Sequence, residues 1–373
     1  MLSGKPRVVV CGTTFGRVYL AAFRDRRFPF ELAGVLGRGS ERSRACAEAY
    51  DVPLFDSVEA LPADVDIACV VVRAGIVGGV GSELARALMA RGIHVVQEHP
   101  LHHDELAENL RTARRYGVRY RLNTHYVHLP PVRRFIDTVR ALAAHQRPLF
   151  ADAAAGVQVA CALFDILGRA LGGLSPCVLE APAAPSASSP FRVLQGSIAG
   201  VPLTLRIQNQ LDPRDPDNGF HLMHRLCVGA EGGNLTLLNT HGPLYWSPRF
   251  HVSPTGAAAP SGPDKDLLAA ASAEPIGEST APSFHSIVHD LWPQAPRRAL
   301  RKLWGDVESG AEDSIIAQYD LSLCRAWQQA MSQLGEPELI EGARPAVLSA
   351  REVAAFASDT ETPRPPAATG MGD

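Results

Sequence analysis

Two short runs hold the residues best suited to chemistry: Gln97-Glu98-His99-Pro100-Leu101 and Asn123-Thr124-His125-Tyr126. Imidazole, carboxyl and phenol groups are the side chains that most often give or take a proton in a reaction. The first run follows Val95-Val96 and ends at a proline, so it reads as a buried strand meeting a turn. Pro100 imposes an extended or turn conformation on His99 and admits a cis peptide bond before it. Residues 103–116 then fit a helix, with Asp104 near its start, Leu106, Leu110 and Ala113 on one face, and Gly117 to stop it. Val118 to Leu122 reads as a further strand, which brings the second run to the same edge. Open parallel sheets bind ligands at that carboxyl edge. His99 and Tyr126 are the expected catalytic pair, ahead of His125 and Arg73. With Glu98 close, a modest upward shift keeps His99 largely protonated near neutral pH.

The elements around these runs define what they face. Arg7 to Cys11 is a short strand that enters Gly12-Thr13-Thr14-Phe15-Gly16-Arg17, and a helix with Val18, Ala21 and Ala22 inward follows. Strand, glycine turn and helix present backbone N–H groups and a helix N-terminus to a dinucleotide pyrophosphate. The fingerprint is imperfect, since Thr14 stands where a second glycine is usual. Glu31 to Leu36 forms the next strand and ends in Gly37-Arg38-Gly39-Ser40. An NAD site usually has a carboxylate there for the ribose hydroxyls. A guanidinium, a hydroxyl and a helix N-terminus suit a 2′-phosphate instead, so the cofactor expected is NADPH. Glu41 falls in the first helical turn, where the macrodipole accounts for it. The expected cofactor-binding set is Gly12, Thr13, Thr14, Phe15, Gly16, Gly37, Arg38, Ser40 and Arg73, with Glu98 and His99 at the nicotinamide end. Asp66 to Val72 and His94 to Gln97 supply the third and fourth strands of a doubly wound parallel sheet.

Beyond Pro130 the pattern changes. A helix over 132–144 is followed by a strand over 149–155, a helix over 157–171, and strands near 191–198, 201–211, 221–229 and 233–239. The fold class is α/β: an N-terminal Rossmann domain plus a C-terminal α+β domain with an open, mainly antiparallel sheet. The expected division is 1–123 for the cofactor, 124–358 for substrate and dimerisation, and a disordered tail over 359–373. Residues 254–283 read as a long loop or lid. Two helices follow, near 284–304 and 312–334, the second returning to the cofactor domain through Ile316, Tyr319, Leu323 and Trp327. His102-His103 reads as solvated, His221 and His224 as pointing to opposite faces of one strand, and Arg297, Arg298, Arg301 and Lys302 as a solvated helix face.

Composition sets the remaining bounds. The chain has 373 residues, a net charge of −3 and 46% hydrophobic residues, which gives no case for nucleic acid binding. Seven scattered cysteines without a CxxC spacing suit free thiols in a reducing cytoplasm. No signal segment and no membrane span are evident. No metal site is expected.

A glycine-turn Rossmann half, a strand ending in Glu-x-Pro and an open antiparallel sheet together resemble the glucose-fructose oxidoreductase/inositol dehydrogenase family. Two departures argue against polyol oxidation: His99 replaces the usual lysine, and Ala162 stands where the sugar enzymes usually have a histidine. Both agree with one branch, the thiazolinyl imine reductases of siderophore biosynthesis. The resemblance rests on Cys11-Gly12-Thr13-Thr14-Phe15-Gly16, Val72-Arg73-Ala74-Gly75-Ile76-Val77-Gly78-Gly79, Gln97-Glu98-His99-Pro100-Leu101-His102 and Asn123-Thr124-His125-Tyr126. It implies NADPH-dependent reduction of a thiazoline C=N to a thiazolidine, on a hydroxyaryl-thiazolinyl thioester carried by a nonribosomal peptide synthetase carrier domain. It also implies a homodimer. The alternatives are an NADP-dependent sugar or polyol dehydrogenase and a non-catalytic NADP-binding regulator.

Overall fold

Six parallel strands open the chain, each a short run of apolar residues of the kind that a sheet covered on both faces requires. They are β1 (Arg7–Cys11), β2 (Glu31–Leu36), β3 (Leu54–Phe55), β4 (Ile67–Val70), β5 (His94–Glu98) and β6 (Tyr120–Asn123), in the order β3-β2-β1-β4-β5-β6. The strand order reverses between β1 and β4, and the crevice there is where dinucleotides bind in such sheets. Helices α1 (Gly16–Ala21), α2 (Glu41–Ala49), α3 (Gly81–Ala90) and α4 (His103–Tyr116) connect them. The computed structural model describes residues 4–74, 79–181, 189–215, 218–251, 269–310, 313–341 and 347–358. The expected tail over 359–373, residues 254–268 of the expected loop over 254–283, and Gly75 to Gly78 lie outside the described residues.

A second sheet of eight strands follows α5 (Pro130–Ala143). Its members are β7 (Phe150–Gly156), β8 (Cys177–Glu180), β9 (Phe191–Ile198), β10 (Val201–Gln208), β12 (His224–Ala230), β13 (Gly233–Leu237), β14 (Leu244–Pro248) and β15 (Glu274–Pro275). The pairs are antiparallel except for β10 on β7. Register makes the core visible. Leu194, Leu205, Ala153, Leu226, Leu237 and Leu244 stand opposite one another in turn across six strands, all of them buried. They pack in one core with α5 and α6 (Ala160–Leu171). The opposite face carries exposed Asp152, Arg206 and Arg225 beside exposed Phe150 and Val178, so it mixes charged and apolar side chains.

Two expected elements break, each for a physical reason. The strand expected over 201–211 divides at Asn209, which is buried and donates from Nδ2 to the Glu336 carbonyl at 3.1 Å. β11 (Gln210–Leu211) therefore leaves the large sheet and pairs with β16 (Glu338–Leu339). The helix expected over 284–304 becomes one short turn, Phe284–Ser286, a π-helical stretch Ile287–Leu291, and α7 (Gln294–Ser309). Pro293 has no N–H to continue the ladder, so Trp292 stands at the break. After α8 (Ser314–Leu334) a further helix that the sequence pattern did not suggest, α9 (Ala350–Ser358), ends the described chain.

Both late helices return to the first domain. Ala299, Leu300 and Leu303 of α7 share one core with Val8, Val10, Tyr19 and Val96. α8 packs on α4, where Gln328 Oε1 accepts from the His103 backbone at 2.8 Å. Arg121 in the middle of β6 reaches Asp306 of α7 at 2.8 Å and Asp313 ahead of α8 at 2.5 Å. Arg297 is not solvated as expected: it donates to the Ala22 carbonyl at 2.9 Å and lies 3.4 Å from Asp25.

Candidate active site

β5 and β6 end side by side and deliver the two sequence runs to one place, through the His99 N–H bond to the Asn123 carbonyl (3.0 Å). The His99–Pro100 peptide bond is cis. After β6 the chain makes a γ-turn: the Tyr126 N–H donates to the Thr124 carbonyl at 2.5 Å around His125, whose φ is 54° and ψ −63°. This conformation is rare for a residue with a side chain and costs about 1–3 kcal/mol. It sends the two successive rings in different directions. His125 meets Phe15 (centroids 5.1 Å) and Trp292 (6.0 Å), whereas Tyr126 meets His224 (5.0 Å) and His99 (6.5 Å).

The tripeptide Asn-Thr-His occurs again at 239–241, and it too ends in this cluster. Trp292 Nε1 donates to His241 Nε2 at 2.9 Å, so His241 keeps its proton on Nδ1, which faces Asn239 Oδ1 at 3.2 Å. His224 Nε2 donates to the Val159 carbonyl at 3.1 Å, so its Nδ1 accepts from Thr240 at 3.0 Å. Burial pushes His224 down to about 3 and His241 down to about 4. His125 is pushed well down as well, and neither of its buried nitrogens has a partner among the described residues. These imidazoles are neutral near pH 7. Together with Phe15, Tyr126 and Trp292 they form an aromatic, weakly polar cluster.

The charge on His99 is the main correction to the sequence reading. Burial lowers its pKa to about 4, against a raising contribution from Asp165, so it is neutral at physiological pH. Glu98 is also buried and is pushed up to about 8, although hydrogen bonds from Tyr19 and Asn123 favour its anion. Asp165 behaves differently. Burial would raise it, but the Arg169 charge and hydrogen bonds from Thr124 (2.5 Å), Arg169 (2.7 Å) and Tyr319 (2.8 Å) hold it below the usual carboxylate range. Ala162, three residues before it, is fully buried inside α6.

The dinucleotide end lies at the tips of β1 and β2. Gly12 has φ +90°, and a Cβ there would come within 2.6 Å of the Val71 carbonyl oxygen, so the tight turn excludes other residues. Thr13 is buried, Thr14 exposed, and Gly16 opens α1. Gly37 and exposed Arg38 follow β2, and Ser40 caps α2, with its Oγ accepting from the Ser43 N–H at 3.2 Å and sharing a 2.6 Å bond with Ser43 Oγ. Arg42 was missed by the sequence reading. Its guanidinium donates to Thr14 Oγ at 2.9 Å and approaches Thr13 Oγ at 3.4 Å, which joins the glycine turn to the β2 tip. Helical side chains lean toward the N-terminus, which is the signal that could have found it. Arg17 donates to the Thr14 carbonyl at 3.0 Å, and Arg44 lies near Gly39. Four guanidinium groups and one glycine turn thus gather at this corner, donors suited to the phosphates of a dinucleotide, with Glu41 in the first turn of α2. Arg73 is exposed beyond β4, and among the described residues no hydrogen bond joins it to this group.

Other expectations are placed as follows. His102 precedes α4 and contacts Gln328, and His103 lies 3.2 Å from Arg325, so neither is merely solvated. His221 precedes β12, and its N–H donates to Gln208 Oε1, so the argument from strand alternation does not apply to it. Among the described residues no group of His, Cys, Asp or Glu is arranged to hold a metal ion, and no helix is long and apolar enough to cross a membrane. All seven cysteines are free.

Comparison with known proteins gives two family matches. Residues 6–124 match the oxidoreductase family with an NAD-binding Rossmann fold (GFO/IDH/MocA), and residues 146–247 match the C-terminal domain of Irp3-like thiazolinyl imine reductases. No curated protein matches the chain. Similar solved structures include UDP-N-acetylglucosamine 3-dehydrogenase from Acidithiobacillus ferrooxidans, 15% identical, with TM-score 0.60 over 87% of this chain and 96% of that one. A putative myo-inositol dehydrogenase from Sinorhizobium meliloti is 13% identical, with TM-score 0.62 over 88% and 97%. Biliverdin reductase from Synechocystis, solved with biliverdin and NADP+, is 13% identical, with TM-score 0.58 over 88% and 98%. At these identities the likeness concerns the fold.

Proposed function

We propose that this chain, which matches the GFO/IDH/MocA oxidoreductase model over residues 6–124 and the Irp3-like thiazolinyl imine reductase C-terminal model over residues 146–247, reduces a thiazoline C=N to a thiazolidine with NADPH. The observation that carries this reading is the cluster at the end of β5 and β6. Its neutral imidazoles, phenol and indole suit a flat aryl-thiazoline, and the chain has Ala162 where the family resemblance expects a base for a polyol hydroxyl. When bound, the reduced nicotinamide supplies a hydride to the imine carbon. The protein's part is to orient the ring, exclude water and protonate the nitrogen. Glycine turn and arginines hold the dinucleotide; Glu98, His99 and Tyr126 stand at the reacting end.

We further propose that the substrate arrives as a thioester on an acidic carrier domain of a nonribosomal peptide synthetase. Supporting this, Arg133 and Arg134 line a groove along α5, and Arg298 of α7 lies close enough to Arg133 for their charges to interact. Arg133 and Arg298, far apart in sequence, thus adjoin, with Asp137 in the same groove. The test is NADPH consumption with free aryl-thiazolines, carrier-bound aryl-thiazolines, and polyols with NADP+. Turnover of thiazolines but not polyols is expected, and the double variant Arg133→Glu, Arg298→Glu should slow only the carrier-bound substrate, in a salt-dependent way. Turnover of polyols alone would sink the reading. A cytoplasmic homodimer is part of this proposal, supported by the family resemblance and by the open face of the second sheet, where Phe150 and Val178 are exposed.

For the cofactor, Arg38→Ala and Arg42→Ala are each expected to reduce the preference for NADPH over NADH. Losing one charge-assisted phosphate contact costs about 1.5–3 kcal/mol, or roughly one to two orders of magnitude. Steady-state kinetics with both cofactors check this. An unchanged ratio in both variants removes the 2′-phosphate from this corner.

A further inference from the structure

Glu98 and His99 are neighbours in sequence, and their side chains approach to 3.5 Å. Tyr19 from α1 donates to Glu98 Oε2, and Asn123 Nδ2 donates to the same oxygen at 3.1 Å. The other oxygen, Oε1, lies 3.5 Å from His99 Nε2, while His99 Nδ1 is buried with no partner among the described residues. Both side chains are nearly sealed, at 10% and 6% exposure. No arginine or lysine pairs with Glu98 among the described residues. Cys69, Cys161 and Tyr19 are the other titratable groups that act on the carboxyl; Asp165, His125, His224 and Tyr126 are those that act on or surround the imidazole.

We propose that Glu98 stores the proton consumed in the reduction and delivers it through His99, whose Nδ1–H faces the substrate nitrogen. This deepens the imine-reductase reading and rests on it. The contact between the two side chains is a neutral acid against a neutral imidazole, since burial raises one to about 8 and lowers the other to about 4. At pH 7 the proton therefore sits on the carboxyl. In the reaction, the C–H bond forms with the hydride from reduced nicotinamide. The substrate N–H bond forms as His99 Nδ1–H breaks, and Nε2–H forms as the Glu98 O–H breaks. His99 leaves the step neutral in its other tautomer. Glu98 leaves it as a carboxylate, which the bonds from Tyr19 and Asn123 stabilise. Returning the Nε2 proton to Glu98 while a solvent proton reaches Nδ1 resets the pair. The 3.5 Å separation is long, and such contacts commonly tighten when substrate binds.

The experiment is an infrared titration of the ligand-free protein together with pH profiles of turnover. A protonated-carboxyl band that is absent in Glu98→Gln and fades as pH rises through about 8 is expected; the difference spectrum removes buried Asp320, which is raised to about 7. In turnover, wild-type kcat should fall above that pH. Glu98→Gln should lose ten- to hundredfold in kcat and lose this limb, with NADPH affinity retained. Tyr19→Phe removes a bond that favours the anion, so it should move the limb upward. No Glu98-dependent band at pH 7, or an alkaline limb that persists in Glu98→Gln, overturns the proposal. So does a loss confined to NADPH affinity. If the wild type reduces no C=N substrate, the imine-reductase reading fails and takes the delivery step with it, whereas the infrared titration still decides where the proton is stored.

Discussion

Replacing His99 by alanine is expected to lower kcat by about 10²–10⁴-fold with NADPH affinity intact, the usual worth of a positioned proton donor. As hydride reaches the imine carbon, negative charge builds on nitrogen. A donor within hydrogen-bond reach lowers that barrier. His99 meets the geometric requirement from the end of β5, and its neutrality means that it works by passing a proton on, not by holding a charge. Tyr126→Phe is the companion measurement, because its ring lies 6.5 Å from that of His99 and stands in the same cluster. A loss of similar size in that variant alone would assign the proton to the phenol. Losses below tenfold in both would mean that solvent or the substrate supplies it, and that these rings serve only for orientation.

The largest effect on stability is expected from Asp165→Ala. Asp165 is 1% exposed and accepts hydrogen bonds from Thr124, Arg169 and Tyr319. Removing one partner of a buried, hydrogen-bonded pair typically costs about 3–5 kcal/mol. Arg169 keeps part of its surface in water, at 34% side-chain exposure, which places the expected loss near the lower figure. The pH dependence has a definite sign. The folded pKa is depressed, so this stabilisation is fully present above the unfolded value of about 3.9 and is lost as pH falls through the folded value below it. Urea unfolding at pH 7 and in acid tests both parts. A gap between wild type and variant that stays constant into strong acid would show that Asp165 contributes by packing alone.

The parallel sheet was legible because strands buried on both faces read as unbroken apolar runs, as in Val8-Val9-Val10 and Val95-Val96. The leucine row of the second sheet was legible through alternation, as in Leu203, Leu205 and Ile207. Strand ends likewise pointed to Glu98, His99 and Tyr126. Trp292 and His241 were not foreseeable, since they reach the site from residues far along the chain with no local pattern to announce them. Protonation states were read wrongly for the same reason. His99 looks poised for charge beside a carboxylate, but burial by elements that arrive from elsewhere in the chain neutralises both groups. The small β11–β16 ribbon was hidden too, because it depends on where buried Asn209 finds its partners.

The seating of α7 against Val8, Val10 and Val96 has a consequence for biosynthesis. Translation proceeds at roughly 5–20 residues per second. Between the emergence of Val10 and of Leu303, one face of the first sheet therefore stays without its cover for on the order of 15–60 s. During that interval the nascent chain presents aliphatic surface that ribosome-associated chaperones recognise. A gene fragment that stops after β6 would keep the surface bare permanently. The first domain is contiguous in the gene from β1 to β6, but it is complete only once α7, encoded far downstream of β6, has been made.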